Sequence, residues 1–466
     1  MEKQTPNTHQ KALRINLDSD KYGTFAEIGA GQEVARWFFQ VGGASGTVAK
    51  TMSAYDMAFS DAIYGAAQRY VSEDRLLSML GHEYRLLEKR LKDKRGESSQ
   101  FFVFADTVAA ASYAKRGPGQ GWLGMRFIVE PGAEPSKIVI HVRLLDGDNL
   151  QQQEALGVLG VNLVYGAFYL HHDPGLLLGC LLDDLTPERV EVDMVNFSGQ
   201  AFQDVDNRLM SLQLVHRGLT GAAMFTANGE VVQPADVFYK KNVLVERGSF
   251  RPITIATLDM LECAQRAFFA DPEVREDETV VVFEMNLRDL LHRGEIDDKD
   301  FLDRADSLGA LGRTVLISRY ARYFKLATYL FGHTQKRIAM VLGVPSLQEV
   351  FEERYYDDLG GGILESLGRL FKNHLKLFIY PLKDPETGEL VNAKNLQVAP
   401  HLRHLYAYLI ENGCIEDLPD FTEDYLPIFP ADVLEKIKSG DRSWKKLVPP
   451  EVGVMIEKRG MFDCAS

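Results

Sequence analysis

Cysteine is scarce: the 466 residues hold four, Cys180, Cys263, Cys414 and Cys464, with no CxxC or other metal-ligand spacing among them. That spacing leaves no zinc ribbon or disulfide framework to build on and fits a reducing compartment. The opening MEKQTPNTHQ lacks the apolar stretch of a secretion signal, so a cytoplasmic protein is expected. Cys464 stands one place short of a prenylation box, and no lipid anchor is expected. Long apolar runs are missing as well. The most apolar one, Ala155 to Leu170, carries Asn162 and is shorter than the roughly 20 residues of a membrane span. It reads as a buried core helix, with Leu176 to Leu182 as its partner across the turn at 171–175. Positive charge is in deficit too. A formal net charge of −14 argues against a nucleic-acid surface, which draws on clustered Lys and Arg. The basic run Lys89 to Arg95 reads as a solvated helix face. No serine elbow, HExxH or Cys-His signature occurs.

An ordinary composition remains, 45% hydrophobic and 25% charged, enough for a large core. The length suggests two or three domains, or one large domain with additions. Ser72 reads as the N-cap of a helix from Glu73 to Arg95, stopped by Gly96. Three strand-like runs follow, Phe101 to Ala109, Trp122 to Glu130 and Lys137 to Leu145. The short loops between them, Arg116 to Gly121 and Pro131 to Ser136, favour an antiparallel meander. From Asp148, itself a plausible N-cap, strands alternate with helices. Strands are expected at Arg189 to Phe197, Ala222 to Thr226, Ile253 to Thr257, Thr279 to Met285, Thr314 to Arg319, Arg337 to Gly343 and Leu375 to Pro381. Helical patterns separate most of them, from Asp206, Leu258, Lys299, Tyr320, Leu347 and Ile363.

Such alternation implies an α/β fold: a mixed, mostly parallel sheet with helices on both faces, preceded by an α+β antiparallel segment. Open sheet and barrel both remain, and a hairpin reading of Thr226 to Val232 favours the open sheet. The expected organisation is an N-terminal α+β region with glycine-rich loops over 1–147, an α/β core over 148–381 and a proline-punctuated extension over 382–466. That extension, with turns such as Asp384 to Gly388 and helices near Pro400 to Asn412 and Pro430 to Ser439, is expected to wrap over the main body or an adjoining subunit.

Candidate chemistry begins in Lys21 to Met57, where glycines gather at a density that costs backbone entropy. Glu27-Ile-Gly29-Ala-Gly31 ahead of a helix has the form of a loop that brings backbone amides to a dinucleotide or a methyl donor. Position 34 is Val, however, and no hydrophobic strand precedes Phe25. The bland alternative is a glycine-bounded turn into a helix that buries Trp37 and Phe38. Gly42, Gly43, Ser45, Gly46, Thr47 and Lys50 have the makings of an anion nest with a lysine and hydroxyls. Lys50 does not follow Gly46 directly, so the Walker spacing is absent. At the carboxyl ends of the expected parallel strands, where α/β proteins place ligands, stand Asp193, Asp259, Glu284 and Arg319. The three carboxylates are candidates for acid, base or Mg²⁺-ligand roles, and Arg319 for holding an anion. Solvated strand ends are polar anyway and are the competing explanation. Asp146 and Asp148, near Arg143, form a polar knot in which capping explains Asp148. His401 and His404 are three apart with no third ligand in view, so no protein metal site is assigned. His171 and His172 suit a helix end.

The stretch KYGTFAEIGAGQEVARWFFQVGGASGTVAKTMSAYDM, together with NLQQQEALGVLGVNLVYGAF, resembles an uncharacterised bacterial family of about this length. Its members carry two conflicting names, TonB-dependent receptor and nicotinamide- or nicotinate-nucleotide adenylyltransferase. The first name implies a secretion signal and many alternating membrane strands, which the sequence lacks. The second implies a His-x-x-His pair in the first strand-to-helix loop, and here that pair, His401 and His404, lies near the other end. Neither name carries catalytic residues over.

Two functional readings follow. One is a cytoplasmic enzyme of unstated reaction that binds a small anionic ligand, phosphorylated or nucleotide-like. The other is a non-catalytic, self-assembling scaffold, for which Trp37, Phe38 and Phe39 and the proline-rich tail would supply surface. A homo-oligomer is expected in either case, with neither nucleic acid nor membrane as partner.

Overall fold

The computed structural model describes residues 5–111, 118–292, 294–384 and 387–465. The start of the expected loop at Arg116 and the turn residue Pro385 lie outside them. The chain divides into two compact units, Met1–Gly221 and Ala222–Ser466. The sequence reading sets its boundaries after 147 and 381.

The first unit is built on one six-stranded sheet in the order β2-β1-β3-β4-β5-β6. Its strands are β1 (Lys21–Ile28), β2 (Val48–Met52), β3 (Gln100–Ala109), β4 (Gly119–Phe127), β5 (Ser136–Leu144) and β6 (Val190–Ser198). The expected meander is present, with β3, β4 and β5 antiparallel in turn. The run at Arg189 to Phe197, expected to open the parallel core, instead continues this meander antiparallel to β5. A strand also exists where none was expected ahead of the glycine turn: β1 pairs parallel with β2 and β3 on its two sides. Its residues from Gly23 to Glu27 are all buried, so it lacks the alternation that marks a half-exposed strand. Phe25 packs with Phe38, Phe102 and Phe104 at centroid distances of 4.8, 5.5 and 5.9 Å. Over this core runs the helix Asn149–Tyr169, capped by Asp148, with Leu177 and Leu178 of the helix Pro174–Cys180 in the same cluster. Asn162, polar inside that helix, is satisfied by Lys11 Nζ at 2.7 Å and by the carbonyls of Leu181 and Asp183. The helix Glu73–Arg95 begins as expected, with Ser72 accepting from the Arg75 amide.

The second unit carries β7 (Ala222–Phe225), β8 (Val231–Val232), β9 (Asn242–Arg247), β10 (Thr279–Asn286), the short pair β11 (Leu291–His292) and β12 (Glu295–Ile296), β13 (Thr314–Ser318), β14 (Ile338–Gly343), β15 (Lys376–Tyr380), the short pair β16 (Leu382–Lys383) and β17 (Leu390–Val391), and β18 (Ile415–Asp417). Eight of them form one sheet in the order β18-β15-β14-β9-β10-β13-β7-β8. From β18 to β13 every pair is parallel, and β7 and β8 add an antiparallel edge. Numbered in chain order, the parallel strands β9, β10, β13, β14, β15 and β18 lie 3-2-1-4-5-6 across the sheet. This is the doubly wound, Rossmann-type order.

The chain leaves β9 in one direction and returns to its other side at β14, so right-handed crossovers place helices on both faces. On one face Val243, Val245 and Met340 pack with Leu326, Leu330, Leu367 and Leu409 from the later helices. On the other, Phe268 of the helix Ile255–Phe269 meets Phe378 of β15 at 6.4 Å. The fold is therefore α/β with a mixed, mostly parallel sheet in this unit, preceded by the largely antiparallel sheet of the first.

Two further expectations are corrected. Ile253 to Thr257 is no strand but a helix start: the Thr254 and Thr257 hydroxyls form a capping box at the head of Ile255–Phe269. The tail beyond 382 is no mere wrapping, since it supplies β18 as an edge strand of the sheet.

Candidate functional site

A cavity of about 270 Å³ opens in the second unit at the carboxyl ends of β9, β14 and β15. Glu246 to Phe250 form one wall, Gly343 to Ser346 and Tyr380 to Leu382 the next two, Thr254, Thr257 and Met260 another, and Tyr425, Leu426 and Ile428 to Pro430 of the tail line the rest. β9 and β14 are the neighbours between which the strand order reverses, the position where open α/β sheets hold ligands.

Two consecutive residues of β9 give the cavity its chemistry. Glu246 is fully buried, and neither carboxyl oxygen has a hydrogen-bond partner among the described residues. Burial pushes its pKa well above the ordinary carboxylate range, with Arg313 opposing, so the neutral acid is favoured. An unpaired buried polar group costs about 1 to 3 kcal/mol, which makes this carboxyl a liability to the empty fold. Arg247 is paired instead. It grips Glu284 with Nε at 2.5 Å and Nη2 at 3.1 Å, and Glu284 also accepts from the Ser318 hydroxyl at 2.5 Å. Its Nη2 and Nη1 reach the carbonyls of Tyr320 and Ala321 at 2.7 and 3.2 Å.

Those two carbonyls flank the segment that carries a cluster of cations. A hollow of about 390 Å³ is lined by Arg288, Arg319, Arg322, Lys325 and Arg354 together with Asp357 and Asp358. Arg288 lies two residues past the end of β10, Arg319 follows β13, and Arg322 and Lys325 stand at the head of the helix Tyr323–Phe331. Arg322 lies over the face of the Tyr355 ring, 4.1 Å from its centre. Among the described residues Arg354 pairs with Glu352 at 3.4 Å, whereas Arg288, Arg319, Arg322 and Lys325 form no ion pair.

The residues expected from the sequence fall as follows. Arg319 belongs to this cation cluster. Glu284 is tied up by Arg247 and Ser318, and Asp259 by the Tyr380 hydroxyl at 2.6 Å and by the Thr422 amide and hydroxyl at 3.0 and 2.8 Å. The cavity is thus walled by their partners Arg247 and Tyr380 rather than by the two acids. Replacing Asp259 with alanine leaves three donors without their acceptor. The expected cost is about 2 to 3 kcal/mol, read as a lower urea midpoint at unchanged slope.

Asp193 belongs to the first unit, buried on β6, with its Oδ1 2.6 Å from Nδ1 of His141 on β5. Lys50 pairs with Glu83, which also accepts from the Tyr64 hydroxyl at 2.9 Å. Gly42 and Gly43 both have left-handed backbones just past the end of the helix Glu33–Gln40, and the Gly42 carbonyl accepts from Asn16 at 2.7 Å. Ser45 and Gly46 sit in a single helical turn, where the Gly46 and Thr47 amides donate to the carbonyls of Gly43 and Ala44. Gly29 is fixed by geometry: φ is +103° and a Cβ would stand 1.8 Å from the Val108 carbonyl oxygen. Gly31 is also left-handed. At the helix that follows, the Val34 and Ala35 amides are both taken by the carboxyl of Glu27, each at 2.9 Å. The protein's own acid occupies the helix end that the glycine pattern offers to an anion.

No group of three or more His, Cys, Asp or Glu among the described residues is placed to hold a metal ion, so the Mg²⁺ role set out for Asp193, Asp259 and Glu284 finds no such cluster. His401 meets Glu353 at 2.6 Å on the surface. Sequence reasoning missed Glu246 and Arg247 because it missed β9 altogether. The available signal was the run Val243-Leu-Val245 closed by Gly248, with two charges at its end that read as solvated.

No family model matches the chain, and no curated protein matches it. Among solved structures, the competence/damage inducible protein CihA from Agrobacterium tumefaciens is 17% identical and covers 35% of this chain and 97% of its own, at a TM-score of 0.24. A competence-damaged protein (CinA) superfamily protein from Enterobacter cloacae is 12% identical over 36% of this chain and 95% of its own, at a TM-score of 0.26. At this level the likeness says nothing of the chemistry. Among the described residues, no helix is long and apolar enough to cross a membrane.

Proposed function

We propose that the chain is a cytoplasmic enzyme whose second unit binds a phosphorylated, nucleotide-like small molecule. The organic part occupies the cavity between β9 and β14, and the phosphate is held by Arg319, Arg322 and their neighbours. The observation that carries this reading is a cavity at the strand-order reversal joined, through Arg247, to a segment bearing unpaired cations. Guanidinium groups match phosphate oxygens in a bidentate fork, and unpaired ones are free to do so. A dinucleotide bound in the usual manner fits less well. Only Gly248 follows β9, and the helix Ile255–Phe269 has its leading amides engaged, Ile255 by the Leu447 carbonyl at 3.0 Å and Thr257 by the Thr254 hydroxyl at 3.2 Å. A pyrophosphate would not find there the donors that a glycine-rich turn supplies.

A thermal-shift panel of nucleoside monophosphates, sugar phosphates and inorganic pyrophosphate tests this. A compound present at about 100 times its Kd stabilises the folded protein by about 2.7 kcal/mol. The expected result is a higher Tm with at least one phosphorylated compound and no shift in the Arg319→Ala/Arg322→Ala double variant, whose unliganded Tm falls only slightly because neither cation is in an ion pair and the loss is confined to the Arg322–Tyr355 contact. Silence across the panel would sink the reading. Of the aromatics expected to serve the scaffold alternative, Phe38 is buried and Phe39 stays exposed, and Tyr55, Met57 and Phe59 add surface at 73%, 62% and 60% exposure around the start of the helix Met57–Tyr64. Light scattering that reports a concentration-independent monomer removes it.

A further inference from the structure

We infer that the cavity takes the flat heterocycle of that ligand and that Glu246 reads its edge, donating from one carboxyl oxygen and accepting at the other. The inference rests on the binding site proposed above and adds the chemistry of the group recognised: an amide, lactam or amidine edge, in which a donor stands beside an acceptor. A cavity of about 270 Å³ holds one ring system with its substituents rather than a whole dinucleotide. Phe250, Tyr380, Tyr425 and Phe429 line it and offer ring faces for stacking.

The placement of Glu246 follows from strand register. Val243 and Val245 face the helices of the later half, so Leu244 and Glu246 face the other side. Glu246 is level with Phe283 of β10, and Phe283 stacks against the cavity residue Phe250 at 5.1 Å. The carboxyl thus lies on the cavity's side of the sheet, buried, with neither oxygen engaged. A native structure rarely leaves such a group orphaned without a partner that arrives later. A carboxyl kept neutral by burial has one donor and one acceptor side by side, which an amide-like edge complements in two parallel hydrogen bonds.

Adenosine, inosine and uridine carry such an edge, and purine riboside has the ring of the first two without the exocyclic group. Titration calorimetry on the full chain should show at least one of the first three binding, with purine riboside weaker by about tenfold or more. Glu246→Gln keeps a donor beside an acceptor and is expected to stay within about threefold of wild type. Glu246→Leu is expected to lose about tenfold or more, while its unliganded Tm rises because an unpaired buried acid has gone. Binding by Glu246→Leu equal to wild type, or no nucleoside bound by wild type, overturns the inference. Inorganic pyrophosphate separates the two claims. If it raises Tm through Arg319 and Arg322 while no nucleoside binds, the anion site stands and the heterocycle assignment falls. If nucleosides bind through Glu246 and phosphate adds nothing, the phosphorylated ligand falls instead.

Discussion

Glu27→Gln is expected to destabilise the protein by about 1 kcal/mol near pH 4 and to stabilise it by about 2 kcal/mol near pH 9. Burial raises the pKa of Glu27 from 4.5 to about 7, against the pull of the two helix amides it accepts. Asp106 lies directly opposite on β3, fully buried, with one oxygen bonded to the Ile28 amide and the other without a partner. Burial and then the charge of Glu27 push its pKa well up as well. A carboxyl whose folded pKa lies above its unfolded value contributes most below the unfolded value and loses that contribution as pH rises through the folded one. At about 1.4 kcal/mol per pH unit, Glu27 alone forfeits about 3 kcal/mol between roughly pH 4.5 and pH 9. Glutamine does not titrate. It gives up one of the two amide bonds at low pH and escapes the charge at high pH. Asp106→Asn, which keeps its one accepted bond, is expected to gain at high pH without the low-pH loss. Urea midpoints across the range check both, and parallel wild-type and variant profiles would refute the account.

The second large effect is expected from Glu284→Ala, at about 3 to 5 kcal/mol of stability. The Glu284 side chain is fully buried and that of Arg247 is 10% exposed, so removing the acid strands a charge inside the sheet with only carbonyls to share it. Glu284→Gln keeps one acceptor oxygen, which can serve both the Ser318 hydroxyl and Arg247 Nη2 but not Arg247 Nε, and should cost less than the alanine variant. A loss below about 1 kcal/mol for the alanine variant would mean that solvent reaches Arg247 and that the pair contributes no more than a surface one. Because Arg247 is also a wall of the cavity, ligand binding is expected to weaken with stability, whereas Arg319→Ala weakens binding alone.

Much of the architecture could be read from the residues because local rules and tertiary structure agree there. Ser72, Asp148 and Asp206 all cap the helices they were expected to start. The runs at Thr279, Thr314, Ile338 and Lys376 are short, rich in Val, Ile and Leu, and separated by helical patterns, as parallel strands covered on both faces must be. The failures share a cause. β1 and β9 place Glu27, Glu246 and Arg247 in the interior, where sequence patterns put charges last, and only partners far along the chain show why they are there. The same cause hid the site. Arg319 was legible at the end of an apolar strand, but the acid beside the cavity belongs to a strand whose last residues look like surface. The change of pattern at Asp148 is real, yet the chain returns to the first sheet with β6 before leaving it.

Both rims of the second sheet end in very short strands, three residues at Ile415–Asp417 and two at Val231–Val232. Rims that brief give a neighbouring molecule almost no ladder to extend, so association through this sheet has to use side-chain surfaces instead of strand addition. Trimming the chain after Leu382 would remove that protection and bare the Lys-Leu-Phe-Ile-Tyr run of Lys376–Tyr380, an apolar template for fibre growth.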